Sequence, residues 1–285
     1  MSRVQWITIG IAVLLVLGIY AATQRQLFGE PKRADHPHAS APAAPELSID
    51  TILAREKSGL TATQVTRLEQ LERDASGRSS DSSRIHAFHQ LAKFWSDTAR
   101  EIAPYAWYTA EAARLENSEK SLTFAARLFL AALKDEPDAD LKRWEASQAK
   151  DLLERSLRVN PQNDSTKVFL GEVYVYGGIA MPMEGIAMIR QVADADPKNL
   201  QAQFALAEAS LVSGQTDKAI ERFRQIAAID PSQLRATLRL GEIYEQRGDK
   251  ASAIEWYEKS LPHTNRIEGL RAEVERRINL LKTNN

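Results

Sequence analysis

The sequence predicts an all-α chain: a solenoid of about five stacked helical hairpins, closed by a capping helix and set behind an amino-terminal transmembrane helix. Three observations predict it. First, a unit of thirty-odd residues recurs over the last 130 positions: Leu170-Gly171-Glu172, Leu206-Ala207-Glu208 and Leu240-Gly241-Glu242. Each is followed at a common offset of seven by Gly178, Gly214 or Gly248, with Pro161, Pro197 and Pro231 in phase. A unit of that length cannot bury its apolar face alone and must lean on the next copy. Second, every strong apolar period is helical, and no alternating stretch long enough for a strand appears. Third, Val4 to Gln24 contains no charged residue.

The amino-terminal segment, residues 1–24, predicts a membrane anchor. Twenty-one helical residues span about 31 Å, close to the thickness of a hydrocarbon core, and Trp6 and Tyr20 sit near the ends, as interfacial aromatics do. The rival reading, a cleaved signal peptide, needs a small-x-small exit, which Ile19 before Ala21 and Tyr20 before Ala22 meet poorly. Arg3 on one flank against Arg25, Lys32 and Arg33 on the other leaves orientation nearly balanced. The short leading tail and the Pro/Ala stretch that follows favour a periplasmic carboxy-terminal domain on a single-pass protein of the bacterial inner membrane. That stretch, residues 25–47, holds Pro31, Pro37, Pro42 and Pro45 without apolar periodicity and predicts a disordered linker.

Residues 48–82 predict a helical leader. Thr61-x-x-Gln64 fits a capping box ahead of Val65, Leu68 and Leu71, Ile49 to Glu56 fits a short helix, and the polar run Asp74 to Ser83 separates both from the repeats. The repeats occupy residues 83–265. The best copy runs from Gln233 to about His263, with Leu240-Gly241-x-x-Tyr244, Gly248, Ala253 and Tyr257. Gly241 and Ala253 are small where two helices cross, and Gly248 supplies a left-handed turn. The preceding copy carries Ala207, Gly214, Ala219 and Phe223; the one before it carries Gly171, Tyr174 and Gly178, with two extra residues between about Gly177 and Gly185. Two earlier units are weaker. Leu122, Ala126 and Phe129 begin one, with about eleven residues inserted around Glu136 to Trp144 before its second helix. Phe88, Ala92 and Trp95 begin the other, 34 residues upstream of those same positions. Residues 266–285 close the array: Ile267, Leu270, Val274, Ile278 and Leu281 form one apolar stripe, as a capping helix requires.

The Leu-Gly, Tyr, Gly, Ala and aromatic spacing resembles the tetratricopeptide repeat (TPR), strongly over the last three units. The resemblance implies a right-handed solenoid whose first helices line a concave groove for a peptide or protein, with no cofactor. It also implies which residues face the groove: Glu172, Glu208 and Glu242, with Lys93 and Arg127 at the same position of the weaker units. Val168, Tyr176, Phe204, Leu211, Leu238 and Glu245 are expected to flank them. The expected groove is thus basic near Lys93 and Arg127 and acidic along the three glutamates. The Lys and Asn set that grips carboxy-terminal tails in chaperone-binding members is missing.

Composition narrows the function further. A net charge of -1 with 26% charged residues, and no basic run longer than two, argues against the basic face of a generic nucleic-acid binder. Phosphate-cradling and nucleophile-elbow motifs and the His-Glu-x-x-His pair are missing, and zero cysteines remove thiol chemistry, so no enzyme is expected. His86 and His89, three apart on one helix, lack a third metal ligand. Met181, Met183 and Met188 crowd one turn and offer either gap-filling packing or a soft-cation site. The expected function is a membrane-tethered scaffold that binds a peptide or protein in envelope complex assembly. A client-specific periplasmic chaperone, as in cytochrome c maturation, and a metal-binding protein using the methionine turn are the alternatives.

Overall fold

Ser and Asn residues at four of the five hairpin starts and left-handed glycines at three of the turns divide the chain into its helices. The computed structural model describes residues 47–78 and 80–283. Leading the array are α1 (Ile49–Lys57) and α2 (Ala62–Ser76), the latter opened by the Thr61–Gln64 capping box. Five hairpins follow: α3 (Asp81–Lys93) with α4 (Ile102–Glu116), α5 (Glu119–Asp135) with α6 (Ala139–Val159), α7 (Asp164–Tyr176) with α8 (Pro182–Ala195), α9 (Leu200–Val212) with α10 (Thr216–Ile229), and α11 (Leu234–Gln246) with α12 (Lys250–Ser260). A 3-10 turn, Leu261–Arg266, then leads to α13 (Leu270–Thr283). No strand occurs among the described residues.

Local chemistry sets these boundaries. Ser80, Ser118, Asn163, Asn199 and Asp249 each accept a hydrogen bond from a first-turn backbone N–H, filling donors that a helix start leaves orphaned. Gly178, Gly214 and Gly248 adopt φ of 65°, 72° and 75° at the turn inside three successive hairpins, the left-handed region where a Cβ is costly. Two extra residues lengthen the α7–α8 turn, which spans 177–181 where the next two span 213–215 and 247–249. The eleven residues expected as an insertion do not loop out. They lengthen the second hairpin's helices to 17 and 21 residues, with only Glu136, Pro137 and Asp138 between them. Pro137 disfavours helix at Glu136, and the Asp138 carboxylate accepts from the N–H groups of Asp140 and Leu141, starting α6 at once.

Each helix packs on its partner and on the next hairpin, so the core is a row of clusters rather than one centre. Phe129, Leu133, Leu152 and Leu153 fill the second hairpin, Val168, Ile189 and Ala202 join the third to the fourth, and Phe223, Leu240 and Tyr257 hold the carboxy-terminal end. Close crossings depend on glycine: a Cβ on Gly171 would lie 2.6 Å from Ile189 Cγ1 and 2.8 Å from the Gly185 carbonyl, and one on Gly241 would lie 2.6 Å from the Tyr257 ring. On α13, Val274 and Ile278 are buried against the last hairpin. The third helix departs from regularity: α3 widens into a π-helical turn over Phe94–Ala99 and stops at Arg100, whose φ is 62°. That turn buries Trp95 completely, its indole N–H without a protein acceptor among the described residues.

The expected single-pass inner-membrane localisation is corrected. No helix among the described residues is long and apolar enough to cross a membrane. The longest, α6, has 21 residues but carries Asp140, Lys142, Arg143, Lys150, Asp151, Glu154, Arg155 and Arg158, charges that a hydrocarbon core would not accept. The expected span over residues 4–24 and the Pro/Ala stretch up to residue 46 lie outside the described residues.

Candidate functional site

Helical spacing brings one face of each first helix to a common surface. On α5, Arg127, Leu130, Ala131 and Lys134 follow at i, i+3, i+4 and i+7; on α11, Arg235, Leu238, Arg239 and Glu242 repeat that spacing. Phe169 and Glu172 of α7 and Leu200, Gln201, Phe204 and Ala205 of α9 lie between them. A cavity of about 600 Å³ is lined by residues from α5, α7 and α9 together with Arg235 of α11 and its cap Gln233. Four successive hairpins therefore share one wall.

The charged groups on this wall pair across repeats. Lys134 Nζ donates to Glu172 Oε1 at 2.8 Å and lies 5.0 Å from the centre of the Tyr176 ring. Arg239 donates from Nε and Nη2 to the two oxygens of Glu208, each at 2.8 Å, and from Nη1 to Glu242 Oε2, also at 2.8 Å. This two-pronged grip suits a planar guanidinium facing a carboxylate. Its hydrogen bonds to Glu208 raise the Arg239 pKa against the opposing effect of burial, and those to Glu242 add to the rise. Tyr176 lies in the field of both clusters: burial pushes its phenol pKa up, and the charges of Glu172 and then Glu208 push the same way. Two ion-paired clusters thus tie neighbouring repeats, Lys134 with Glu172 between α5 and α7, and Arg239 with Glu208 and Glu242 between α11 and α9.

Two other cations on the wall are arranged differently. The Arg127 guanidinium lies 5.3 Å from the Phe169 ring centre and that of Arg235 lies 4.1 Å from the Phe204 ring centre. Phe204 is itself braced edge-on by Phe223, with ring centres 5.3 Å apart.

The expected groove residues fall into distinct places. Arg127, Glu172 and Phe204 line the cavity. Glu208 and Glu242 share Arg239, so with Lys134 on Glu172 the three glutamates are ion-paired and do not form an open acidic ladder. Tyr176, Leu211 and Leu238 are partly buried against the core clusters, and Val168 is wholly buried beside Ile189 and Ala202. Glu245 turns to the last hairpin and the cap, accepting from the Tyr257 hydroxyl at 2.6 Å with Arg277 at 3.5 Å. Lys93 sits at the π turn, 2.6 Å from Asp97, and lines a separate cavity of about 260 Å³ with His89 and Phe124. Met181 and Met183 are exposed while Met188 packs on the core, so the methionine turn gathers no set of sulfur ligands.

Sequence reasoning missed Lys134, Phe169, Arg235 and Arg239. Lys134 lies seven residues after Arg127, and Phe169 and Arg239 lie three before Glu172 and Glu242, so helical periodicity placed each beside a residue already identified.

Helical hairpins stacked with their first helices on a shared wall define an α-solenoid of the kind that presents an elongated binding face. The class is more particular than that over the last hairpins: a tetratricopeptide-repeat family model matches residues 182–233 and 211–265, so that stretch is built of tetratricopeptide repeats. No curated protein sequence matches it. Among solved structures it is similar to MamA, at 22% identity with 52% of this chain and 94% of that one covered and a TM-score of 0.37. It is similar also to MamA 41-end from Desulfovibrio magneticus RS-1, at 18% identity over 65% and 97% with a TM-score of 0.41. A third is YrrB, a TPR protein with an unusual peptide-binding site, at 16% identity over 70% and 98% with a TM-score of 0.39. At those scores the likenesses carry nothing about partner or site.

Proposed function

We propose that this chain is a binding scaffold whose groove along α5, α7, α9 and α11 holds an extended segment of a partner protein. The observation that carries this reading is the shared wall: one cavity receives side chains from four consecutive hairpins, and on it apolar Leu130 and Leu200 alternate with the Phe169 and Phe204 rings and with ion pairs already locked in place. Groups fixed before the partner arrives lose little freedom on binding. In this reading Arg127, Glu172 and Phe204 contact the ligand, while Glu208, Glu242, Tyr176, Leu211 and Leu238 form the surrounding wall.

The test is a selection of random displayed peptides on the immobilised full chain, repeated with Ala131→Trp. Ala131 is exposed on the cavity wall, so an indole there fills the groove without entering the core. Peptides that bind the parent and lose roughly tenfold or more in affinity to Ala131→Trp, at an unchanged melting temperature, are the expected result, a difference of about 1.4 kcal/mol. Binding indifferent to that substitution would place the partner elsewhere.

A further inference from the structure

The groove's two stacked arginines point to the chemistry of the partner, an inference that rests on the scaffold reading above. Arg127 and Arg235 stand on different hairpins, line the same cavity and are exposed. Among the described residues neither makes an ion pair nor donates a side-chain hydrogen bond; each instead lies against a phenylalanine ring. The other cations of this wall, Lys134 and Arg239, already have carboxylate partners at 2.8 Å. A guanidinium resting on a ring keeps its planar fork of N–H donors for another acceptor, and the ring limits the orientations it samples. Two such groups facing one cavity are prepared for carboxylates.

The opposing charges are few. Glu172, the wall's nearest carboxylate to Arg127 in repeat position, is engaged by Lys134, and Asp135, on the same wall, is the other anion and has no cation partner among the described residues. Two uncommitted cations against one uncommitted anion leave the cavity locally positive, although the chain's net charge is -1. Of the glutamates expected to make the groove acidic, only Glu172 lines this cavity, and Lys134 neutralises it.

We propose that Arg127 and Arg235 form a double carboxylate-binding site for Asp or Glu side chains within an extended segment of a partner protein, whose apolar residues lie against Ala131 and Leu200. Charge-assisted hydrogen bonds to a guanidinium are roughly twice as strong as neutral ones. They would fix the register of the segment along the groove as well as its affinity. Nucleic acid offers phosphates to the same arginines, but the pI near 6.6 and the unpaired Asp135 on the wall favour a peptide.

The experiment takes the peptides enriched on the immobilised full chain, caps them at both ends so that no terminal carboxylate contributes, and measures fluorescence anisotropy. Enrichment in Asp and Glu is expected, with Glu→Gln and Asp→Asn versions binding roughly tenfold more weakly. The Arg127→Gln/Arg235→Gln variant should lose that preference while its circular-dichroism melt stays at the parent's temperature, both side chains being exposed. Neutral or basic peptides that Ala131→Trp still excludes would overturn the acidic site and leave the groove reading standing. No peptide excluded by Ala131→Trp would overturn both. Displacement of the acidic peptide by a single-stranded oligonucleotide at equal concentration would overturn the assignment to a protein segment.

Discussion

At the scale of single residues, two charged groups show how differently burial and pairing act. Glu145 on α6 is only 2% exposed and one of its oxygens has no hydrogen-bond partner among the described residues; burial, and next the charge of Glu136, pushes its pKa up to about 8. In the unfolded chain the same carboxyl ionises near its ordinary value of 4.5. As pH rises from there the unfolded state releases its proton first, so native stability falls until about pH 8 and then levels. The penalty is on the order of 2 to 4 kcal/mol. Glu145→Gln should therefore stabilise the protein at pH 8 and have little effect at pH 4.5, as read by urea denaturation of both proteins at each pH; an equal effect at the two would refute the burial argument. Arg239 is the opposite case, a charge whose partners are in place. Arg239→Gln strands Glu208 and Glu242 on the wall and should cost about 1 to 2 kcal/mol, less than a fully buried pair because the Arg239 side chain is 35% exposed. A thermal melt at low and high salt checks it, and the loss should shrink as salt screens the freed glutamates.

At the scale of helices, glycines with different jobs should respond differently to the same methyl group. Gly171 and Gly185 let α7 and α8 touch backbone to backbone, and the obstacle to a Cβ on Gly171 includes a carbonyl that cannot swing away. Gly248 has nothing within 4 Å but holds φ at 75°. Gly171→Ala should cost roughly 1 to 3 kcal/mol through overpacking, more than the helical propensity it gains. Gly248→Ala should cost about 1 to 2 kcal/mol, from backbone strain alone. Only the first should also shift the near-UV aromatic signal, since Tyr174 and Tyr176 lie on the displaced helix; matching shifts in both would remove the distinction. Much of this scale was legible in the sequence. Phased glycines, prolines and apolar triplets located the last three hairpins, and Thr61 with Gln64 located the start of α2. The lengthening of α5 and α6 was not legible, because inserted residues keep the helical period whether a loop or a longer helix accommodates them. Nor was the π turn at Phe94–Ala99, which leaves no periodic trace. In the groove, the glutamates were visible but their partners were not: Glu208 and Arg239 lie 31 residues apart and meet only through the stacking of hairpins.

Across the whole array, each hairpin depends on its neighbours, so the free end of the last one must be covered. That cover is α13. Its Val274 and Ile278 are buried in the cluster built on Tyr244, Trp256 and Tyr257, while its outer face carries Arg271, Glu275 and Lys282. Polar ties reinforce the seat: Arg277 donates to the Tyr257 hydroxyl at 3.0 Å, Lys282 reaches Glu258 at 2.9 Å, and Arg276 followed by Arg277 holds the Glu273 carboxyl down at about 2. The apolar contact should dominate, because the surface pairs are exposed and screened whereas Val274 is 2% exposed. Val274→Asp places a carboxylate in that contact and should detach the cap. In a quasi-one-dimensional array the damage should stay near its source, since no helix of the first two hairpins packs on α13. Hydrogen exchange should then show amides of α11, α12 and α13 losing protection while those of α3 to α6 keep theirs. Uniform loss from one end to the other would mean that the hairpins melt as a single cooperative unit, and would refute the nearest-neighbour account of this fold.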